Sequence, residues 1–158
     1  MPREYLGSDL SIYRAYLGSE RARGSPDLQT APGHRVPPNR TPYQDLATAE
    51  GVNNLRQALV NRLLTRCGEL AGLGHPTYGS RLYELIGRPN SATQRHLAKL
   101  HVLEALAQEP RIDAKKIQVT MQTDARDRDA VLIEIRVQPV AEEELIALEL
   151  PFSFAGEI

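Results

Sequence analysis

The fold is decided in residues 63–87, which read LLTRCGELAGLGHPTYGSRLYELIG. The apolar start of this stretch predicts the end of a helix, for which Gly68 is the expected stop. The residues Gly72, Gly74 and Pro76 exclude a continuous helix and predict a tight turn. A short second helix is expected to begin after this turn, so the stretch joins two elements of the core.

Six residues are expected to shape the turn between these two helices. His75 precedes Pro76 and is interpreted as a turn residue that hydrogen-bonds a nearby carbonyl. Thr77 or Ser80 is the expected cap of the second helix, and Gly87 is its expected end. The six turn residues are Gly68, Glu69, His75, Pro76, Tyr78 and Gly79.

The helix before the turn is predicted to be amphipathic. Thr48 is its expected N-cap, and Glu50 lies in the first turn, where the helix dipole favours an anion. Arg56 and Arg62 fall on other faces of the helix, away from the apolar stripe that packs on a core. That stripe recurs at i, i+3, i+7 and i+11 and consists of Val52, Leu55, Leu59 and Leu63.

A third helix is predicted after the second. Residues 91–94 read SATQ, which is a capping box with Ser91 at the N-cap and Gln94 at N3. The helix runs to about Gln108, because Pro110 disfavours helical geometry at the residue before it. Apolar side chains cover more than half of its circumference, so several elements are expected to pack around it.

The pattern then changes from a helical period to a period of two. Ile117, Val119 and Met121 alternate with polar residues, and a second alternating run follows over residues 131–137. The two runs predict an antiparallel hairpin with one buried face. A third run over residues 146–154 contains Pro151, which suits an edge strand or a strand end. The expected fold is α+β: a short N-terminal strand, about three helices and a three-stranded antiparallel meander.

The first 43 residues differ from the rest and contain six of the 11 prolines. Tyr5–Tyr13 is predicted to form a short strand. Gly18–Pro42 shows little apolar periodicity and is interpreted as an extended arm or loop. We therefore expect an N-terminal strand and a proline-rich arm or insertion in residues 1–43, and the main domain in residues 44–158.

Charge and composition exclude several classes of protein. The 158 residues include 19 basic and 20 acidic side chains, a balance that argues against a nucleic-acid binder. The N-terminus lacks the apolar region of a signal peptide, and no apolar run approaches the roughly 20 residues that span a bilayer. The expected protein has no membrane partner and stays in the cytoplasm until an assembly carries it elsewhere.

No cluster of residues indicates a catalytic, metal or cofactor site. Glu69 and Glu84 are the candidate carboxylates of a glycosidase, but solvated helix charges are the favoured interpretation of both. His96 and His101 would lie about 140° apart around a helix, so a zinc site is not expected. Cys67 is interpreted as a small buried hydrophobic residue. No cofactor is expected.

Two segments have both a structural and a binding interpretation. The first segment is Glu109-Pro110-Arg111. It would form a helix stop with a local Glu–Arg pair, which spacing alone favours, or the proline would hold the acid and the arginine at a fixed angle. The closing strand would either complete the sheet or offer its unpaired edge to a partner strand, which is β-augmentation. An apolar edge without lysine favours the second interpretation of the strand.

Three motifs follow each other in a specific order: NNLRQALVNRLLTRCGEL (53–70), GHPTYGSRLYELIG (74–87) and EALAQEPRI (104–112). Together they resemble the phage tail protein W family. This family comprises the lysozyme-like baseplate wedge subunits of contractile phage tails and their relatives in type VI secretion and other contractile injection systems. The resemblance runs from about Gln44 to Phe154 and implies a small α+β domain that ends in a strand meander.

The resemblance implies a structural protein and not an enzyme. Family members sit at the inner ring of the baseplate, join the wedge to the sheath, and offer a strand on which the first sheath ring is built. The implied partners are sheath protein and baseplate wedge proteins, with inner tube or hub proteins as further candidates. Six copies per baseplate are implied.

The resemblance also assigns binding residues. In the family this motif, here Glu109, Pro110 and Arg111, contacts the helical core bundle of the wedge. Arg111 would pair with a carboxylate or with carbonyl groups of the partner. Glu109 would orient Arg111 or cap a partner helix. The alternative is a lysozyme-like enzyme that cleaves peptidoglycan, and the kind of contractile machine stays open. The segment that would pair with sheath strands consists of Glu144, Leu145, Ile146, Ala147, Leu148, Glu149 and Leu150.

Overall fold

A computed structural model describes residues 6–10, 12–13, 27–28, 30–32, 44–123, 127–140 and 144–156. Its architecture is α+β, as predicted, with helices, short N-terminal strands and a three-stranded antiparallel sheet. The chain forms two compact units, residues 1–57 and 58–158. In the described part of the chain, no helix has the length and apolarity that crossing a bilayer requires. The division into domains at residues 43 and 44 stays a prediction.

The described residues of the first unit form three pairs of short antiparallel strands. The strand predicted within residues 5–13 is present in its described part, as β1 and β2. Described residues of the expected proline-rich arm form β3 and β4, so that part of the arm is paired strand, and the remainder lies outside the described residues. β1 pairs with β6, β2 with β3 and β4 with β5. The strands are β1 Ser8–Leu10, β2 Ile12–Tyr13, β3 Asp27–Leu28, β4 Thr30–Pro32, β5 Gln44–Leu46 and β6 Thr48–Glu50.

The first helix, α1, spans Gly51–Leu64. The predicted N-cap at Thr48 is wrong, because pairing with β1 holds residues 48–50 in an extended strand. The chain turns from that strand into the helix at Gly51, whose φ is +57°, in the region that favours glycine. Asn54 stabilises the first turn of the helix, because its buried Nδ2 donates a 2.7 Å hydrogen bond to the carbonyl oxygen of Leu6.

The end of α1 lies at Leu64, so the predicted stop at Gly68 is wrong. Ser80, which follows the tight turn after the helix, donates hydrogen bonds to two carbonyl oxygens at the end of the helix. The Ser80 hydroxyl donates to the carbonyl oxygen of Leu63 at 2.6 Å, and the Ser80 N–H donates to that of Thr65 at 2.9 Å. These bonds satisfy carbonyl oxygens that a helix end leaves without an internal donor, so they stop the helix before Gly68.

The two ends of the turn approach each other at Gly79, which is buried and has a φ of +111°. A Cβ atom at this position would lie 2.7 Å from backbone atoms of Thr65 and Arg66. The close approach lets Ser80 form a parallel bridge with Arg66, in which the Cys67 N–H donates to the Ser80 carbonyl oxygen at 2.9 Å. Only glycine fits this backbone, so the expectation that Gly79 shapes the turn has a direct physical reason.

The predicted second helix is not an α-helix. The described residues contain two α-helices instead of about three, and this segment forms 3₁₀ turns at Ala71–Leu73 and Leu82–Leu85. The N-cap position of the second turn is Arg81, but the Ser80 hydroxyl, which donates to α1, also accepts a 3.4 Å hydrogen bond from the Leu82 N–H at the start of that turn. The segment leaves this turn at Gly87, whose N–H donates to the Phe154 carbonyl oxygen at 2.7 Å.

The predicted third helix is α2, which spans Ala92–Ala107. Ser91 is its N-cap, and the hydroxyl accepts a 3.3 Å hydrogen bond from the Gln94 N–H, as predicted. The return bond of a capping box does not form, because the Ser91 N–H donates to the carbonyl oxygen of Pro89. Several elements pack on α2, as expected, among them the strand Gln118–Thr123 and the 3₁₀ turn Leu82–Leu85, while Leu97 and Leu100 are exposed.

The sheet of the second unit is the predicted meander. Its strands are β7 Gln118–Thr123, β8 Ala130–Val137 and β9 Ile146–Ser153, with β8 in the middle. Val119 lies opposite Ile135, and Ile135 lies opposite Leu148, so the alternating apolar residues share one buried face. β9 is an edge strand, which confirms the interpretation of Pro151.

Candidate functional site

The motif Glu109-Pro110-Arg111 follows directly after α2. The Glu109 N–H donates to the Leu106 carbonyl oxygen at 3.0 Å, and the Ile112 N–H donates to the Glu109 carbonyl oxygen at 3.3 Å. The chain therefore turns sharply across the motif. Pro110 is exposed, whereas the Glu109 side chain is buried and only 5% exposed.

The Glu109 carboxylate lies between two guanidinium groups. Its Oε1 accepts a 2.6 Å hydrogen bond from Nε of Arg111, and its Oε2 lies 3.5 Å from Nη2 of Arg62. The Arg62 side chain is only 11% exposed and the Arg111 side chain is 24% exposed. The trio carries a formal charge of +1, and its more exposed cation is Arg111.

The pKa of Glu109 is set by burial and by these two arginines. Burial by itself would raise the pKa of the carboxyl group, because it disfavours the charged form. The hydrogen bond from Arg111 and the charges of Arg111 and Arg62 act in the opposite direction, and the net pKa is lowered below its ordinary value. Glu109 is therefore ionised at neutral pH.

Arg62 connects this carboxylate to the turn in residues 63–87. The guanidinium carbon of Arg62 lies 4.4 Å from the centroid of the Tyr78 ring, which is within the range of a cation–π interaction. The Arg62 Nε is buried and has no hydrogen-bond partner among the described residues. The periodicity puts Arg62 on a face other than the apolar stripe, and the structure shows that this residue is nevertheless buried. No local signal could have found it, because its partner Glu109 lies on another element.

The remaining turn residues Gly68, Glu69, His75 and Pro76 are exposed. The Glu69 carboxylate accepts a 3.1 Å hydrogen bond from the Arg66 N–H. His75 and Pro76 are exposed, as are all residues from Ala71 to Thr77. The His75 N–H donates to the Leu70 carbonyl oxygen at 3.1 Å, which matches the expected bond to a nearby carbonyl. A role for His75 and Pro76 in shaping the turn stays a prediction.

The motif is also attached to the turn between β8 and β9. The Val140 N–H donates to the Arg111 carbonyl oxygen at 3.0 Å, and Ile112 forms an antiparallel bridge with Pro139. The Asp113 N–H donates to the Gln138 carbonyl oxygen at 2.9 Å. The backbone of the motif is therefore fixed to the turn that leads into β9.

The backbone of β9 presents every second residue to the free edge of the sheet. The Phe154 N–H donates to the Asp129 carbonyl oxygen at 2.9 Å, so even-numbered residues of this strand bond inward to β8. Odd-numbered residues then point their backbone groups outward, which fits Pro151, since it has no N–H. Within the described part of the chain, β9 pairs only with β8. The outward residues are Ala147, Glu149, Pro151 and Ser153.

The candidate glycosidase carboxylates do not show the features of a catalytic pair. Glu84 forms two hydrogen bonds with Arg81, Nε to Oε1 at 2.8 Å and Nη2 to Oε2 at 3.0 Å. The hydrogen bond from Arg81 lowers the pKa of Glu84, whereas a general acid requires a raised pKa. Among the described residues, no group of three or more histidine, cysteine or acidic side chains could hold a metal ion.

Comparison with known proteins decides the family. The family model described as baseplate wedge protein gp25 matches residues 49–144. The chain belongs to this family. Baseplate wedge proteins are structural components that assemble with other baseplate proteins, so the predicted family and its structural role in the baseplate are confirmed.

A solved structure shows the same fold. The crystal structure of a protein described as a tail lysozyme from Geobacter sulfurreducens aligns with this wedge-family chain at a TM-score of 0.52 and 23% identity. The alignment covers 62% of this chain and 86% of that chain. Among curated proteins, no relative matches.

The buried carboxylate predicts a specific pH dependence of stability. Because the pKa of Glu109 is lower in the folded than in the unfolded state, where it is about 4.3, its contribution is complete above about pH 4.3 and is lost as pH falls through the folded pKa. Glu109→Gln should lower the free energy of unfolding by roughly 2–5 kcal/mol near neutral pH. This difference from the wild type should shrink as the pH is lowered, as measured by urea unfolding.

The matched control for this prediction is Glu104→Gln, because the Glu104 side chain is 50% exposed. The control should change stability by less than about 1 kcal/mol. A Glu109→Gln difference that is constant between pH 7 and acid would contradict the assigned role of the carboxylate.

Proposed function

We propose that this baseplate protein joins the inner wedge to the sheath through two separate elements. Arg111 contacts a wedge partner, and the free edge of β9 pairs with a strand of the sheath and so starts sheath assembly. The protein acts without catalysis, in six copies per baseplate of a phage tail or contractile injection particle. Inner tube or hub proteins are further candidate partners.

The Glu109 and Arg111 geometry supports different roles for the two charges. Glu109 is buried and its two oxygens are already next to Arg111 and Arg62, so it is suited to orienting Arg111 and not to capping a partner helix. The Arg111 side chain reaches the surface, and its planar guanidinium group suits a carboxylate or backbone carbonyl oxygens. The single observation that carries the wedge contact is this buried carboxylate held beneath a surface arginine.

The exposed edge of β9 supports the sheath contact. Outward N–H and C=O groups at an edge are a template for an added strand. The edge offers N–H groups at Ala147, Glu149 and Ser153, and Pro151 interrupts the row. Glu144 and Leu145 are exposed just before the strand, so an added strand could extend past its start.

The enzymatic alternative has no observation in its favour. Glu84 is exposed, is held by Arg81 and has a lowered pKa, so it is a poor proton donor for a glycosidic oxygen. One carboxylate oxygen of Glu69 accepts a hydrogen bond from the backbone N–H of Arg66. We therefore assign neither residue a catalytic role.

The wedge contact predicts the behaviour of Arg111→Ala. Truncating a charged partner at an interface typically costs 2 kcal/mol or more, so co-purification with co-expressed wedge proteins should fall more than about tenfold. Arg111→Lys keeps the charge but not the planar fork, and it should recover only part of the binding. Thermal unfolding of the isolated variants shows whether each remains folded. If folded Arg111→Ala assembles as efficiently as the wild type, the motif is only a helix stop.

The sheath contact predicts the behaviour of Glu149→Pro. Deleting the whole strand would remove the buried Leu148, Leu150 and Phe152, so a backbone change is the sharper test. Proline at residue 149 removes an outward N–H, as Pro151 already does, and should abolish sheath initiation in assembled particles seen by electron microscopy. Glu149→Thr is the matched control, since it removes the charge and keeps the N–H. Sheathed particles of normal number and length with Glu149→Pro would refute the β9 assignment.

A further inference from the structure

We infer that the exposed face of α2 is a dimerisation surface, on which the α2 of a second copy of this chain packs in parallel and in register. Leu100 and Leu103 form the centre of the contact. Two ion pairs flank it, each between Lys99 of one copy and Glu104 of the other. The inference concerns the free protein and is independent of the proposed wedge and sheath contacts, because neither Arg111 nor β9 belongs to this face.

Apolar side chains lie on the exposed face of α2 as well as on its buried face. Leu97 is 36% exposed, Leu100 is 48% exposed, and Leu103 is half-buried. Single exposed leucines are ordinary, but these three follow each other at intervals of three residues and so form a continuous stripe along the helix. Packing within the chain leaves much of this stripe in contact with water. The buried face consists of other residues, namely Ala98, His101, Val102, Ala105 and Leu106.

The stripe has the spacing of the seam between two packed helices. With Leu100 at position a of a heptad and Leu103 at position d, the next position a is Ala107, which is exposed. At about 100° per residue, these three positions point away from the buried face of α2. The exposed polar residue His96 occupies the preceding position d and ends the apolar seam. A second helix along this seam would remove the three apolar side chains from water.

Two opposite charges border the seam. Lys99 lies at position g and Glu104 at position e, and both are exposed. Among the described residues the Lys99 side chain has no ion pair, and Glu104 uses only Oε2 for its 3.4 Å contact with Nδ1 of His101. In a parallel pair of helices, position g faces the position e that lies five residues further along the partner. Lys99 and Glu104 have this separation, so a second copy supplies the opposite charge for each.

These charges select both the partner and its orientation. In an antiparallel pair, position g faces g and position e faces e, so two copies of this helix would bring no opposite charges together. In the parallel arrangement the helix is complementary to itself, which an unrelated apolar helix is not. Stable coiled coils sustain the pattern over three or more heptads, whereas the 16 residues of α2 span about two. The association should therefore be weak and depend on protein concentration.

The test is the mass of the purified chain in solution, measured by sedimentation velocity at increasing protein concentration. We expect the wild type to shift from monomer to dimer. Leu100→Asp should remain monomeric over the same range, because it places a charge in the desolvated centre of the contact. The matched control is Leu73→Asp, since Leu73 is 75% exposed on the separate turn at residues 71–77, and it should dimerise as the wild type does. Thermal unfolding checks that each variant is folded.

Charge reversal tests the register. Lys99→Glu or Glu104→Lys alone turns both attractive pairs into repulsive ones, so each should weaken dimerisation about tenfold. An equimolar mixture of the two variants restores both pairs in the heterodimer, so its dimerisation should return to the wild-type level. Lys116→Glu is the matched control, because Lys116 is exposed on the 3₁₀ turn Ala114–Lys116, outside the seam.

Each contrary result has a definite meaning. A wild type that stays monomeric at all concentrations overturns the inference, as does a dimer that survives Leu100→Asp, since it then forms through another face. A mixture of the two charge variants that associates no better than either alone overturns the parallel register. If the chain is monomeric and Leu100→Asp loses capture of co-expressed wedge proteins, the face binds a wedge helix and the self-pairing is overturned.

Discussion

A single carboxylate, that of Glu109, lies buried between the guanidinium groups of Arg62 and Arg111, and so links the first helix to the segment after the second. Arg62 belongs to α1 and also lies against the ring of Tyr78, which follows the exposed turn. Arg111 belongs to the segment after α2, and its backbone is bonded to Val140 at the start of the turn before β9. The carboxylate thus joins the helix to the motif, Arg62 joins the helix to Tyr78, and a backbone hydrogen bond joins the motif to Val140.

Stability alone does not explain this arrangement. A buried ion pair loses much of its attraction to the cost of desolvation, and well-packed apolar residues often stabilise a core as well. An apolar cluster at residues 62 and 109 would hold α1 near the end of α2. It would not hold a guanidinium group at the surface in a defined direction. The geometry orients Arg111, which fits the contact in the baseplate that we propose for it.

The sequence predicts the elements with strong, regular patterns and misses what depends on distant partners. The alternation in residues 117–154 predicts the three strands and their buried face, and Ser91 marks the start of α2. The cap expected at Thr48 fails because strand pairing with β1 overrides a local signal. The role of Arg62 is hidden because periodicity says only that it lies outside the apolar stripe, while its partner Glu109 belongs to the end of another helix.

The central claim is that Glu109 orients Arg111 towards a partner, and the structure of the assembled baseplate by electron cryomicroscopy tests it most directly. The account predicts that the Arg111 guanidinium lies within about 4 Å of a carboxylate or carbonyl oxygen of a neighbouring wedge protein, the range of a salt bridge. Glu109 should remain buried between Arg62 and Arg111. An Arg111 side chain that faces solvent in the assembled particle, with no partner atom near it, would contradict the account.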